Sequence, residues 1–370
     1  LATNKPKHIL VAPLDWGLGH TTRCIPIIGY LLSLGHVVTV ACNQSQRSFI
    51  EETFSGIDFI HLEGYNITYS KWNKWAQAGL FSQMPGILKT IKSEHKWLHN
   101  LAQNQKIDGI ISDNRYGLYH SIIPSVIMTH QLRVRSGLGQ LADQAIQHIH
   151  FKQLERFNNS WVVDNPSKPD LGGALSHSES IPANAEYIGL LSRFSDLADT
   201  INTSGLKNNG SEVLIMLSGP EPQRSEISRI LWQQASIYPG KISFIEGRED
   251  VLTPVDIPAH ISYYKRLTSD QILPLLAKAD IVICRSGYSS LMDLTALRKK
   301  AILIPTPGQT EQIYLSKYLD KGGVFYATSQ QGFDLAASLK NVDSFPFNAP
   351  IPDSTFILFK QVVKGWVESL

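Results

Sequence analysis

The sequence predicts an α/β protein made of two Rossmann-like, doubly wound halves, and three observations predict it. Apolar runs of strand length alternate with helical patterns along most of the chain. The alternation begins twice, at His8 and again at Glu212. Between the two beginnings, Asp164 to Ala185 is rich in Pro, Ser, Gly and Asn and follows no period, as a connecting segment does. A chain of 370 residues is also too long for one ordinary core. The expected divisions are residues 1–185, residues 186–345, and a terminal link and helix, 346–370, packing back on the first half. Ligands of such sheets sit at the carboxyl ends of the strands, so the expected site is a cleft faced by both sheets.

The first half opens with a buried-strand run, His8 to Ala12, and a glycine-bearing turn, Asp15-Trp-Gly-Leu-Gly-His20. Cys24, Ile27, Ile28, Leu31 and Leu32 then recur at helical spacing until Gly35 stops the helix. His36 to Ala41 is the next strand, Gln46 to Phe54 a helix, and Asp58 to Leu62 a strand. Residues 64–105 interrupt the alternation with Trp72, Trp75 and Trp97 among Lys71, Lys74, Lys89, Lys92 and Lys96. Strands Ile107–Ser112, Ser125–Thr129 and Trp161–Val163 follow, with a long helix from Leu138 to Phe157, and Tyr187 to Leu191 is a further short strand. After a polar spacer, Thr203 to Gly210, the second half runs strand Glu212–Leu217, helix Ser225–Ser236, strands Lys241–Ile245 and His260–Tyr264, and helix Thr268–Ala279. Strand Ile281–Cys284, a helix, strand Ala301–Pro305 and a helix closing at Gly322-Gly323 complete the alternation, and Ser354 to Leu370 is a terminal helix.

Composition sets the class. With 43% hydrophobic and 18% charged residues the chain is globular, and a net charge of +2 offers nucleic acid no electrostatic footprint. Cys24, Cys42 and Cys284 are far apart and lack metal-ligand spacing, which fits a reducing compartment and no structural zinc. No apolar run reaches the roughly 20 residues of a spanning helix, and no signal-like stretch opens the chain, so the expected location is the cytoplasm.

The chemistry concentrates between Asp280 and Gly323. Strand Ile281–Cys284 gives way to Arg285-Ser286-Gly287, and the helix expected to begin near Ser286 or Gly287 offers the N–H groups of its first turn to an anion. Gly287 permits close approach, and Arg285 adds a cationic fork suited to phosphate oxygens. Asp293 follows Ser286 by two helical turns, about 10 Å along the axis, where a carboxylate can accept from a vicinal diol. Phosphates at the helix start and a ribose farther along describe a nucleoside diphosphate. The plain alternative is serines decorating a helix end and a solvated acid. Glu311-Gln312 opens the next helix, and an acid beside an amide can both accept from and donate to sugar hydroxyls.

Arg285-Ser-Gly287, Ser289-Ser290, Asp293, Pro305 and Glu311-Gln312 together resemble, in order and spacing, the nucleotide-sugar motif of GT-B glycosyltransferases. The closest likeness is to the family-28 type, exemplified by the peptidoglycan N-acetylglucosaminyltransferase; UDP-glycosyltransferases are more distant. The resemblance implies that Arg285, Ser286, Gly287, Tyr288 and Ser289 hold the diphosphate, Asp293 the ribose, and Glu311 and Gln312 the donor sugar. Asp293 departs from the usual Glu, and Arg285 follows the bacterial rather than the plant pattern. Ser218-Gly219 falls where the family keeps a phosphate loop, with Arg224 in reach, and Leu267-Thr268 where its backbone reads uracil.

Gly17-Leu-Gly19-His20-Thr-Thr-Arg23 resembles the G-x-G-H turn of the same enzymes and of related nucleotide-sugar hydrolases. Gly17 and Gly19 let backbone approach the diphosphate and acceptor. His20 can take a proton from an acceptor hydroxyl near neutral pH, and Asp113 at a later strand end can orient it. An N-cap or packed histidine, and an acid capping a turn, are the structural alternatives; His130 is a second histidine with both readings. The 64–105 segment reads either as a surface for an anionic bilayer or lipid-linked acceptor, or as an ordinary helix with core tryptophans.

The resemblance implies an inverting transfer of a hexose or N-acetylhexosamine from a UDP-sugar to an acceptor hydroxyl, without cofactor or metal. The acceptor is open, a lipid-linked one of the cell envelope among the options, and contact with the inner face of the membrane goes with it. A nucleotide-sugar hydrolase or 2-epimerase, and a non-catalytic nucleotide-sugar-binding subunit, are the alternatives on the same fold. A monomer or weak homodimer is expected.

Overall fold

The computed structural model describes residues 5–65, 84–133, 139–197, 212–348 and 351–370. Its contacts divide the chain into two units, Leu1–Arg193 with Ile351–Leu370, and Phe194–Pro350.

Unit 1 holds β1 (His8–Pro13), α1 (Leu18–Ser33), β2 (Val37–Cys42), α2 (Gln44–Glu51), β3 (Asp58–His61), α3 (Met84–Asn104), β4 (Gly109–Asp113), β5 (Ser125–Thr129), α4 (Gln140–Leu154), β6 (Asn159–Val162) and β7 (Ala185–Tyr187). The strands form one sheet in the order β3-β2-β1-β4-β5-β6-β7, every pair parallel. Parallel strands with both faces covered read as continuous apolar runs, and Ile9, Leu10, Val11 and Ala12 of β1 are accordingly fully buried. The chain winds outward from β1 in one direction and from β4 in the other, so the topological switch point lies between them. Asp113, the last residue of β4, pairs in register with Pro13, the last of β1.

Unit 2 holds β8 (Glu212–Met216), α5 (Gln223–Ala235), β9 (Lys241–Ile245), β10 (Ile261–Tyr264), α6 (Ser269–Lys278), β11 (Ile281–Cys284), α7 (Tyr288–Ala296), β12 (Ala301–Leu303), α8 (Thr310–Lys321), β13 (Tyr326–Ala327) and α9 (Leu335–Val342). Its parallel sheet runs β10-β9-β8-β11-β12-β13, with the switch point between β8 and β11. The core packs Val213, Ile215, Phe244, Ile283 and Ile302 of the sheet against Ile227 and Leu231 of α5 and Leu335 and Val342 of α9.

Three features differ from or add to the sequence reading. The strand expected at Tyr187–Leu191 is β7, which ends at Tyr187. Gly189 stops it with φ of +77°, while Ile188, Leu190 and Leu191 are buried in the core instead. β13 and α9 fill a stretch to which the sequence assigned no element; α9 starts where the Asp334 side chain accepts from the Ala337 N–H. Part of the 64–105 segment, with Trp72 and Trp75, lies outside the described residues. Trp97, on α3, is half-buried and packs against the cluster of Leu10, Leu98 and Ile110.

The last helix, α10 (Leu358–Glu368), belongs to unit 1. Phe359, Val363, Trp366 and Val367 are buried, each worth about 1.5–3 kcal/mol of apolar burial. Trp366 meets Trp161 of β6 edge to face at 5.6 Å, and Phe359 meets Tyr30 of α1 at 5.9 Å.

Candidate functional site

In unit 1 the polar residues gather at the β1/β4 switch point. Gly17 caps α1 with φ of +89°, a conformation that favours glycine, and a Cβ there would meet nothing within 4 Å. The turn behind it is braced by buried side chains. Gln46 Nε2 donates to the Leu14 carbonyl at 3.0 Å, and Arg115 Nε to the Pro13 carbonyl at 2.9 Å. Arg115 also pairs with buried Glu94 at 2.8 Å, and Tyr65 donates to the same carboxylate at 2.7 Å. Burial raises the pKa of Glu94 against the pull of Arg115.

His20 stands in the first turn of α1, 15% exposed, with Nδ1 2.9 Å from Asp113 Oδ2. Asp113 is fully buried. Burial pushes its carboxyl up, but Arg23 and His20 outweigh burial and bring it to about 2. Burial, opposed by Asp113 and aided by Arg23, lowers the pKa of His20 below its ordinary 6.5, so the ring is neutral at pH 7. The same geometry contains a residue the sequence reading quoted but gave no role. Arg23 is 2% exposed, donates through Nε to both Asp113 oxygens at 2.9 Å, and bonds Asp113 Oδ1 again through Nη2. Its Nη1 lies 2.8 Å from His130 Nδ1, which draws His130 into the same cluster. Arg23 follows His20 by three positions, one face of a helix, and that spacing was the available signal.

In unit 2 the candidate residues lie in the loops, and in the helices that follow them, after β8, β10, β11 and β12. Gly219, with φ of +104°, and Gly287, the N-cap of α7, flank the β8/β11 switch point, and a Cβ on either would meet nothing within 4 Å. No side chain caps α7. Its N-terminus therefore brings helix-dipole charge to an open spot. Ser286 Oγ donates to the Gln312 carbonyl at 2.9 Å, and Gln312 Oε1 accepts from the Thr306 N–H at 2.8 Å. The structure thus brings the Ser286-Gly287 turn and the Glu311-Gln312 helix start together, and both Ser286 and Gln312 are buried in doing so. Asp293, on α7, is 7% exposed, not a solvated charge.

Three candidate residues are used differently from the expectation. Arg285 is 2% exposed and gives its guanidinium to the carbonyls of Ile304, Pro305 and Gln223, at 3.1, 3.3 and 3.0 Å. It clamps the loop after β12 to the start of α5 and supports the site from beneath. Arg224 bonds Glu221 at 3.1 Å and the Gly247 carbonyl at 3.0 Å, and Arg248, absent from the sequence reading, bonds the same Glu221 at 2.7 Å. Thr268 caps α6 in a capping box with Gln271, so its backbone N–H is already donated to Gln271 Oε1 at 3.0 Å. Leu267, beside it, is half-buried.

Among the described residues one group has metal-ligand character, Asp164, Asp170 and His177. Asp164 accepts the N–H groups of Asn165, Leu171 and Gly172 and the Ser176 hydroxyl. Its oxygens are committed to holding the loop after β6, which accounts for the carboxylate without an ion. The three cysteines are buried and free, and burial raises the pKa of each, so all are neutral thiols. No described helix is long and apolar enough to cross a membrane.

Residues 246–350 match the glycosyltransferase family 28 C-terminal domain. The fold is GT-B. Solved glycosyltransferases with this fold superpose on nearly the whole chain. SnogD of Streptomyces nogalater has a TM-score of 0.65 at 12% identity, covering 99% of this chain and 100% of that one. MurG of Acinetobacter baumannii has a TM-score of 0.53 at 13% identity, covering 97% and 95%. In sequence, a stretch of 78 residues is 42% identical to the UDP-N-acetylglucosamine–N-acetylmuramyl-(pentapeptide) pyrophosphoryl-undecaprenol N-acetylglucosamine transferase of Histophilus somni (strain 129Pt). That stretch spans 20% of this chain and 22% of the relative. The GT-B fold and the family 28 domain meet the expectation set by the motif at Arg285 to Gln312.

Proposed function

We propose that this GT-B protein is an inverting glycosyltransferase that moves a hexose or N-acetylhexosamine from a UDP-sugar to an acceptor hydroxyl. The observation that carries the reading is the His20–Asp113 pair, 2.9 Å apart at the switch point of unit 1, with the imidazole held neutral. In its base form His20 donates Nδ1–H to Asp113 and presents the Nε2 lone pair to the acceptor. The acceptor O–H bond breaks and its proton goes to Nε2. The oxygen forms a bond to the anomeric carbon from the face opposite the leaving group, and the bond from that carbon to the β-phosphate oxygen breaks with its electron pair leaving on UDP. Unit 2 holds the donor. The N-terminus of α7 at Gly287, Tyr288 and Ser289 takes the diphosphate, with Gly219 beside it; Asp293 takes the ribose, and Glu311 with Gln312 the sugar. Fixed backbone dipoles supply the leaving-group stabilisation, so the reaction needs no metal. Arg285 acts by holding these loops, not by touching phosphate.

The Histophilus relative is named for UDP-N-acetylglucosamine and an undecaprenol-linked acceptor, which supports the same donor class and a lipid-linked acceptor here. Leu88, Lys89, Lys92 and Lys96 of α3 are exposed, a mixture of apolar and basic side chains suited to an anionic lipid surface. The test is UDP release from UDP-hexose and UDP-N-acetylhexosamine, with and without a polyprenyl-phosphate-linked acceptor. Acceptor-dependent release, lowered about 10²–10⁴-fold in His20→Ala, is the expected result. Free sugar released at full rate without acceptor would mean a hydrolase instead.

A further inference from the structure

Among the described residues Arg23 is the buried cation that touches His20, Asp113 and His130 alike. A guanidinium has five N–H donors and no acceptor, and it stays protonated in proteins. Any nitrogen it bonds must therefore offer a lone pair. His130 Nδ1, 2.8 Å from Arg23 Nη1, is such a nitrogen, so the neutral His130 ring carries its hydrogen on Nε2. His20 is less settled. Its Nδ1 lies 2.9 Å from Asp113 Oδ2, an acceptor, and also 2.9 Å from Arg23 Nη2, a donor. One hydrogen cannot serve both. With the hydrogen on Nδ1, His20 bonds Asp113 and Nε2 is a base. With the lone pair on Nδ1, His20 bonds Arg23 and Nε2 is blocked.

We propose that Arg23 is a positioning residue that assigns the protons of both histidines, fixing His130 as the Nε2–H tautomer and competing with His20 for Asp113. This deepens the reading of His20 as the base and rests on it only for its catalytic meaning. The groups acting on His20 are Asp113 from β4, Arg23 from α1 and His130 from the end of β5, while the Cys24 thiol and the Tyr116 phenol lie by Asp113 and Arg23. Cys24 and Tyr116 are both held neutral by burial, which leaves Arg23 and Asp113 as the fixed charges that set the balance.

The test is nitrogen NMR of the full chain labelled with ¹⁵N-histidine, with His20 and His130 assigned from His20→Gln and His130→Gln. In the wild type, His130 is expected to be the Nε2–H tautomer and His20 to show a populated Nε2–H form. Arg23→Gln removes the charge. His20 should then become wholly Nδ1–H, with its titration moved up. Arg23→Lys keeps the charge near Asp113 but lacks the fork that reaches His130; the His20 titration should stay close to wild type while His130 loses its fixed tautomer. Thermal melts of each variant establish that it is folded. A wild-type His130 protonated on Nδ1, or an unchanged His20 tautomer and titration in folded Arg23→Gln, would overturn the proposal. None of these spectra requires turnover, so loss of the glycosyl-transfer reading would leave them decisive.

Discussion

Replacing Asp113 by asparagine preserves the side chain's size and deletes a charge at 0% exposure. Arg23, buried beside it, is left without its counter-ion. Two routes give the magnitude. Breaking a buried ion pair by removing one partner costs about 3–5 kcal/mol, and the asparagine carbonyl recovers part of that by accepting from Arg23. Independently, the carboxyl's shift from 3.8 to about 2 corresponds to about 2.4 kcal/mol at pH 7. The expected loss is thus about 2–4 kcal/mol, a fall in Tm of about 5–15 °C for a unit of this size. The sign with pH follows from the depressed pKa. The contribution is complete above the unfolded value and is lost as pH falls through the folded one, so the gap between wild type and Asp113→Asn should narrow below pH 4 and be roughly halved near pH 3. Differential scanning calorimetry from pH 7 to pH 3 measures it. Equal Tm values at pH 7, or a gap that does not narrow with acid, would refute the ion-pair account.

Gly189→Ala places a Cβ 2.0 Å from the Thr355 carbonyl at φ of +77°, so unit 1 should lose about 3 kcal/mol or more, read as reduced Tm and loosened packing of α10 by hydrogen exchange. Arg285→Lys cannot span the three carbonyls and should destabilise unit 2 by about 2–3 kcal/mol, while the salt dependence of nucleotide binding stays that of the wild type, as the proposed loop-holding role requires. Tyr65→Phe removes the hydroxyl that donates to buried Glu94 and should cost about 1–3 kcal/mol by urea unfolding, with the Glu94 pKa raised further. Protonation of His20 on acidification should silence transfer, with the acid limb of the kcat/KM profile lying below pH 6.5 because burial depresses the imidazole.

The architecture was legible because parallel strands buried on both faces are written as apolar runs, and β1, β4 and β11 carry that pattern plainly. The polar turns were legible for a similar reason: Gly17, Gly219 and Gly287 mark places where the chain turns at a strand end. What was not legible is where each long side chain ends. Arg285 reads as a phosphate ligand from its position, yet three carbonyls 19, 20 and 62 residues away capture it. Arg23 reads as a helix residue, yet Asp113 and His130, at 90 and 107 residues' remove, make it the hub of the cluster. Such partners depend on sheet order, which a local pattern does not encode. β13 escaped notice because two residues carry no periodicity, and Gly189 ended β7 where Ile188 to Leu191 alone reads as strand.

The central claim is that unit 2 is the donor site of a nucleotide-sugar transferase, and calorimetric titration of UDP into the full chain tests it most directly. The account predicts saturable one-to-one binding, weakened at least tenfold, about 1.4 kcal/mol, by Asp293→Ala through loss of the ribose contact. Absence of binding by the wild type at millimolar UDP, or identical affinity in a folded Asp293→Ala, would contradict it.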